Sequence, residues 1–208
     1  TTAEAVDRNV WNRALGAAAN CSWDAMLALE KIYQRPDARP EHRWDFKYIM
    51  VRDPLGKVVG ATFLTTLLNK DDMLSREAVS RAVEERRKVD PYFLTSKIVQ
   101  FGSNLSEGNH LYLDRSADWR LVLGHMLRIA QEEVDRQGAS GLIVRDLPDG
   151  DAEMDAFMLD QGMSRFPMFD SHTLPVTWPN SADWYRQLPK RSEEHTSELQ
   201  SRLHLECR

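Results

Sequence analysis

Cysteine is nearly missing from this chain: two occur in 208 residues, Cys21 and Cys207. A disulfide scaffold and a four-cysteine zinc site are thereby excluded, and a reduced, cytoplasmic setting is expected. Long apolar runs are missing as well. The longest mostly apolar stretch, Val58 to Leu68, is too short to span a bilayer and contains three threonines. No signal peptide is recognisable. There is no basic surplus either. The chain carries 27 basic and 32 acidic side chains, a formal charge of −5, which argues against nucleic-acid binding. His42, His110, His125 and His172 show no ligand spacing, so no metal site is expected. Asp149-Gly150-Asp151-Ala152-Glu153 imitates a calcium loop but has Met154 where the loop needs glycine and Asp160 where it needs glutamate. These acids suit a helix N-terminus instead.

What is present is enough to fold. Hydrophobic residues make up 42% and charged residues 28%, the composition of a globular chain with a real core. Ala14 to Ala19 is alanine-rich and carries no clear periodicity. Ser22 offers an N-cap, and Trp23, Met26, Leu29 and Tyr33 recur at helical spacing up to Arg35-Pro36. Strands are predicted over Trp44–Arg52 and Lys57–Leu68, joined by the turn Asp53-Pro54-Leu55-Gly56. A helix is predicted over Ser75–Lys88, with Arg81 and Arg86-Arg87-Lys88 interleaved with Glu84-Glu85 as a solvated face. Strands at Tyr92–Phe101 and Asn109–Asp114 flank a polar turn, Ser103 to Gly108.

Ser116 is read as the cap of a long helix, about Ala117 to Gln137, with the stripe Trp119, Val122, Leu123, Met126, Ile129, Ala130 and Val134. Gly138 stops it. A short apolar strand, Leu142–Leu147, precedes a helix over Ala152–Gln161. An extended segment, Met163–Trp178, leads to a short helix, Trp184–Leu188. The strand-helix-strand unit from Asn109 to Leu147 calls for a parallel pair and the early hairpin for antiparallel pairing. The fold class expected is therefore α/β: a mixed, mostly antiparallel sheet with one parallel pair and helices on both faces.

Residues 191–201, R-S-E-E-H-T-S-E-L-Q-S, match the in-frame translation of a common sequencing adapter. The tail 191–208 is therefore expected to be non-native, and a start at Thr1 suggests a fragment. The expected division is an N-terminal piece 1–21, a domain 22–178, the start of a truncated region 179–190, and the tail.

The element order over 22–178 resembles the GNAT N-acyltransferase superfamily. So do three strings: W-D-F-K-Y-I-M-V-R-D-P-L-G-K-V-V-G-A-T-F, S-E-G-N-H-L-Y-L-D-R-S-A-D-W, and L-I-V-R-D-L-P-D-G-D-A-E-M-D-A-F-M-L-D-Q-G-M. The closing S-A-D-W-Y-R-Q-L-P-K is similar to the start of the helix that follows this unit in Fem-type acyltransferases. The resemblance implies transfer of an acyl group from a thioester, acyl-CoA as co-substrate, to a small-molecule amine or peptide-like acceptor, without a covalent enzyme intermediate. A non-catalytic GNAT-like half, serving a second domain, is the alternative.

The resemblance also implies site residues. The strand before the long helix offers backbone amides to the acyl carbonyl, which places donor contacts at Leu111 and Leu113. The helix start, Arg115 and Ser116, would receive the pyrophosphate. The loop there, Asp114-Arg115-Ser116-Ala117-Asp118, departs from the family pattern in having no glycine and two acids. Glu107 and His110 are the candidate bases. Strand alternation groups His110, Tyr112 and Asp114 on one face, with Leu111 and Leu113 on the other. It also brings Arg145 to the same mouth and turns Asp146 away. Lys70 and Asp71, at the end of the second hairpin strand, complete the substrate-binding candidates.

Overall fold

The computed structural model describes residues 2–17, 19–168 and 175–187. They fall into two compact units that divide after Met168. The first unit carries five helices and five strands. In chain order these are α1 (Arg8–Leu15), α2 (Trp23–Tyr33), β1 (Asp45–Arg52), β2 (Val58–Lys70), α3 (Glu77–Arg87), β3 (Thr95–Phe101), β4 (Leu111–Leu113), α4 (Trp119–Gln137), β5 (Gly141–Val144) and α5 (Ala152–Asp160). The described part of the second unit holds α6 (Ser181–Gln187), where Trp184 packs edge-on against Trp178 at 6.2 Å. Leu188, the 191–208 tail and part of the expected extended segment lie outside the described residues.

The sheet is mixed, as expected. β1, β2 and β3 run antiparallel, β4 pairs antiparallel with β2, and β3 and β5 form the parallel pair. One expectation is corrected: the strand parallel to β5 is β3, not β4. β3 and β4 both pair antiparallel with β2, β3 opposite Leu64–Lys70 and β4 opposite Gly60–Thr62. They are two pieces of one strand line interrupted by residues 102–110. Periodicity sees two strands there; only the shared partner reveals one line.

The β1–β2 turn is built as its sequence predicts. The Asp53 carboxylate accepts from the amides of Leu55 and Lys57, both at 2.9 Å, while Pro54 pre-sets its own φ. The sheet then buries both faces by alternation. Ile49, Leu64 and Val99 face α4 and α5, and Phe46, Phe63 and Ile98 face α1 and α2. The α1 layer went unread in the sequence: Asp7 caps α1 by accepting from Val10 N at 2.8 Å, and Trp11 and Leu15 lock it onto the sheet. Cys21 lies in that core, and burial pushes its thiol up to about 11, which suits a structural cysteine.

α4 crosses β2 at Gly60, where a Cβ would lie 2.5 Å from Val122 and 2.6 Å from Met126. The helix is capped by Asp118 rather than Ser116, its carboxylate accepting from Leu121 N at 3.1 Å. Its buried stripe includes Glu133, held by Lys47 of β1 at 2.7 Å and by Arg136 and Gln137. The α3 arm corrects another expectation. Arg87 is not on a solvated face but buried, pairing with Asp72 at 2.6 Å and capping the carbonyls of Phe93 and Leu94. Among the described residues no helix is long and apolar enough to cross a membrane.

Candidate functional site

A cleft forms because β5 follows β3 and then leaves the sheet. β5 pairs with β3 from Ile98 to Phe101 and has no ladder with β4. The chain after Val144 diverges from β4, and the gap is a cleft of about 190 Å³. Asn109, His110, Leu111 and Leu113 form one wall. Asp146, Leu147 and Pro148 form the other, Asp151 and Met154 of the α5 start close the end, and Arg115 stands at the rim.

The antiparallel ladder sets what β4 presents to this space. Asp114 N donates to Val59 O at 2.9 Å, and bonded pairs alternate along such a ladder. Tyr112 therefore exchanges its main-chain bonds with Ala61. The N–H and C=O groups of Leu111 and Leu113 point away from β2, toward the cleft, where no strand of the described residues pairs with them.

His110 sits where the interrupted strand line resumes. Its carbonyl accepts from the Thr62 hydroxyl at 2.9 Å, and its ring is 1% exposed. Among the described residues neither ring nitrogen has a hydrogen-bond partner, which is unusual for a buried polar group. Burial holds its pKa below the ordinary histidine value, with Asp146 and the nearby Gly108 backbone opposing that shift and Arg145 adding to it. That direction favours the neutral ring. Its packing wall is Gly102, whose φ is +77 and where a Cβ would lie 2.9 Å from the imidazole carbons. Only glycine meets both demands at once.

The structure brings some expected site residues together and separates others. His110, Leu111, Leu113 and Arg115 line one cleft. Tyr112 does not join them; it packs on the α1–α2 side of the sheet. Asn109, just before His110, adopts a left-handed backbone (φ 56). Asp114 is turned to the loop: it pairs with Lys57 at 2.6 Å and accepts from the amide and hydroxyl of Ser116. The lysine and serine hold its carboxyl down at about 2. Ser116 is spent on that turn.

Arg115 pairs with Asp151 and lies 4.1 Å from the Trp119 ring, whose other guanidinium neighbour, Arg120, pairs with Glu153. Glu107 is exposed on the 102–110 loop and does not line the cleft. Arg145 and Asp146 exchange their expected roles. Asp146 lines the cleft, while Arg145 holds the Asp146 carboxylate at 2.7 Å and Asn104 at 2.9 Å. Lys70 pairs with Glu84 and Asp71 with Ser96. Lys70 sits eight positions along β2 from Thr62, about 26 Å away, and Asp71 follows it past the strand's end.

Among the described residues no group of three or more His, Cys, Asp or Glu could hold a metal ion. No protein-family model matches the chain, and no curated protein matches it. Among solved structures, a probable acetyltransferase is similar at 16% identity over 74% of this chain and 78% of its own, with a TM-score of 0.36. A tetramutant of the BH1408 protein from Bacillus halodurans is 11% identical over 84% of this chain and 97% of its own, with a TM-score of 0.45. A single-substitution mutant of the same protein is 12% identical over 84% and 96%, with a TM-score of 0.41. These likenesses are distant.

Proposed function

We propose that the chain is an N-acyltransferase, passing an acyl group from a thioester donor, an acyl-CoA, to an amine. His110 carries the reading: an imidazole buried beside the cleft, with both ring nitrogens unpartnered among the described residues. An amine arrives as an ammonium ion and becomes a nucleophile only after losing a proton. His110 takes that proton. The free amine attacks the thioester carbonyl carbon, and the N–H groups of Leu111 and Leu113 meet the oxyanion. The C–S bond then breaks, and the thiolate leaves with the second proton of the amine. A base of this kind is worth roughly 10²–10⁴ in rate. The apolar lining from Leu111, Leu113, Leu147 and Met154 suits the acyl and thioester portion.

The test is thiol release from acetyl-CoA with a panel of small amines and short peptides as acceptors. The reading expects amine-dependent release, and a loss of 10²-fold or more in His110→Gln with unchanged circular dichroism. Absence of release with every acceptor, or full activity in His110→Gln, would overturn it.

One observation favours the alternative, a non-catalytic binding or scaffold half. The α4 start carries Asp114 and Asp118, and its two arginines are already paired with Asp151 and Glu153. A pyrophosphate would have to displace those acids. Failure of CoA to bind, with the cleft intact, would select this alternative.

A further inference from the structure

We infer that Asp146 is the electrostatic partner of His110, held across the cleft to stabilise the imidazolium that forms when His110 takes a proton. The inference rests on the acyltransfer reading for its purpose, but not for its test. Sequence alternation turns Asp146 away from the site. The structure turns it in: Asp146, two residues past the end of β5, takes a left-handed backbone (φ 53) and lines the cleft. Asn109, on the opposite wall, is left-handed too, and Gly108 beside it lies within van der Waals reach of the Asp146 carbonyl. Non-glycine residues held in this region are uncommon and gather at functional sites. Here two of them meet at one cleft.

A continuous chain of contacts fixes the pair. The Asp146 carboxylate accepts from Arg145 Nε at 2.7 Å. Arg145 donates to Asn104 Oδ1 at 2.9 Å, and Gln100 donates to the same oxygen at 3.1 Å. Gln100 also donates to the Thr65 hydroxyl at 3.1 Å, which donates to the Gly102 carbonyl at 2.6 Å. Gly102 is the wall against which the His110 ring packs. The hydrogen bonds begin at the carboxylate and end at the carbonyl of Gly102, the residue that packs against the imidazole, and Gln100 and Thr65 along the way are buried. A hydrogen-bonded polar chain through a sheet core costs desolvation and rigidifies what it connects. Here it runs from the acid on the facing wall to the residue that packs against the buried His110 ring.

The charged groups acting on His110 are Asp146 and Arg145, with opposite effects. Asp146 stands free of hydrogen bonding to the ring in the neutral state. It therefore leaves His110 able to accept a proton from an acceptor amine, and attracts the ring once charged. The proton passes from ammonium to imidazole and then to solvent, so charge is conserved and no other reactant is needed.

The experiment follows the ring nitrogens of ¹⁵N-labelled histidines against pH in the full chain, with His110 assigned by its loss in His110→Gln. Asp146→Asn should lower the His110 midpoint by about half a unit or more, as removal of a nearby opposite charge does. Asp146→Gly tests the same change with a residue suited to the left-handed backbone, so the result does not depend on whether the asparagine variant folds. A general loosening of the cleft would hydrate the ring and raise the midpoint, the opposite direction. An unchanged or raised midpoint in the glycine variant would overturn the inference. A lowered midpoint with no acyl transfer from any thioester would leave the pair standing and remove the reaction proposed for it.

Discussion

Replacing Glu133 by Gln should cost stability at neutral pH and nothing in strong acid. Glu133 lies on the buried stripe of α4, 2% exposed, and binds Lys47 across the sheet at 2.7 Å, with Arg136 and Gln137 on its own helix. Burial alone would push its carboxyl up. The hydrogen bonds from Arg136, Lys47 and Gln137 outweigh burial and hold it down at about 2, against 4.5 for an ordinary glutamate. A folded value below the unfolded one means stability that is complete above the unfolded pKa. It is lost as pH falls through about 4.5 toward 2. The shift is equivalent to about 3 kcal/mol at pH 7, and to less once solvent screening of the exposed Arg136 is counted. Asp72 and Asp114 have lowered pKa values as well and contribute acid sensitivity of the same sign. Subtracting variant from wild type at each pH isolates Glu133. Urea unfolding followed by tryptophan fluorescence from pH 7 to pH 2 measures it. A difference of about 2 kcal/mol at pH 7 that closes by pH 2 is expected. A difference that stays constant with pH, or a variant more stable at pH 7, would refute the reasoning.

Arg87→Ala should lower the melting temperature by on the order of 5 °C, because it strands the Asp72 carboxylate without a partner. The double variant Asp72→Ala with Arg87→Ala should recover part of that loss, measured by calorimetry. The Cys21 thiol, buried and raised to about 11, should react with a thiol reagent at neutral pH only as fast as the fold opens. Denaturant should accelerate its modification far more than a rise to pH 9 does.

Much of the fold was legible because periodicity and punctuation were strong. Ser22 caps α2, the Asp53 turn closes the hairpin, Gly138 ends α4, and the mixed sheet follows from their order. What escaped depended on neighbours distant in sequence. α1 has only Trp11 and Leu15 fully buried, and its meaning lies in packing on β2. The division of one strand line into β3 and β4 is invisible until both are seen opposite β2. Glu133 and Arg87 read as surface charges because their partners, Lys47 and Asp72, belong to other segments. At the candidate site, the sequence placed the cleft walls at the strand ends and named His110, Leu111, Leu113 and Arg115, all of which line the cleft. It turned Asp146 outward, because alternation assumes extended backbone and the chain after β5 departs from it at Asp146.

The central claim is that the cleft between β4 and the chain after β5 receives an acyl thioester along the outward edge of β4. Amide chemical shifts of the ¹⁵N-labelled chain, recorded while acetyl-CoA is raised to millimolar concentration, test it most directly. The account predicts that the Leu111 and Leu113 amides shift first and furthest, with Arg115 and the start of α4 following. Saturating shifts elsewhere, or no shift at Leu111 and Leu113 with the fold intact, would contradict it.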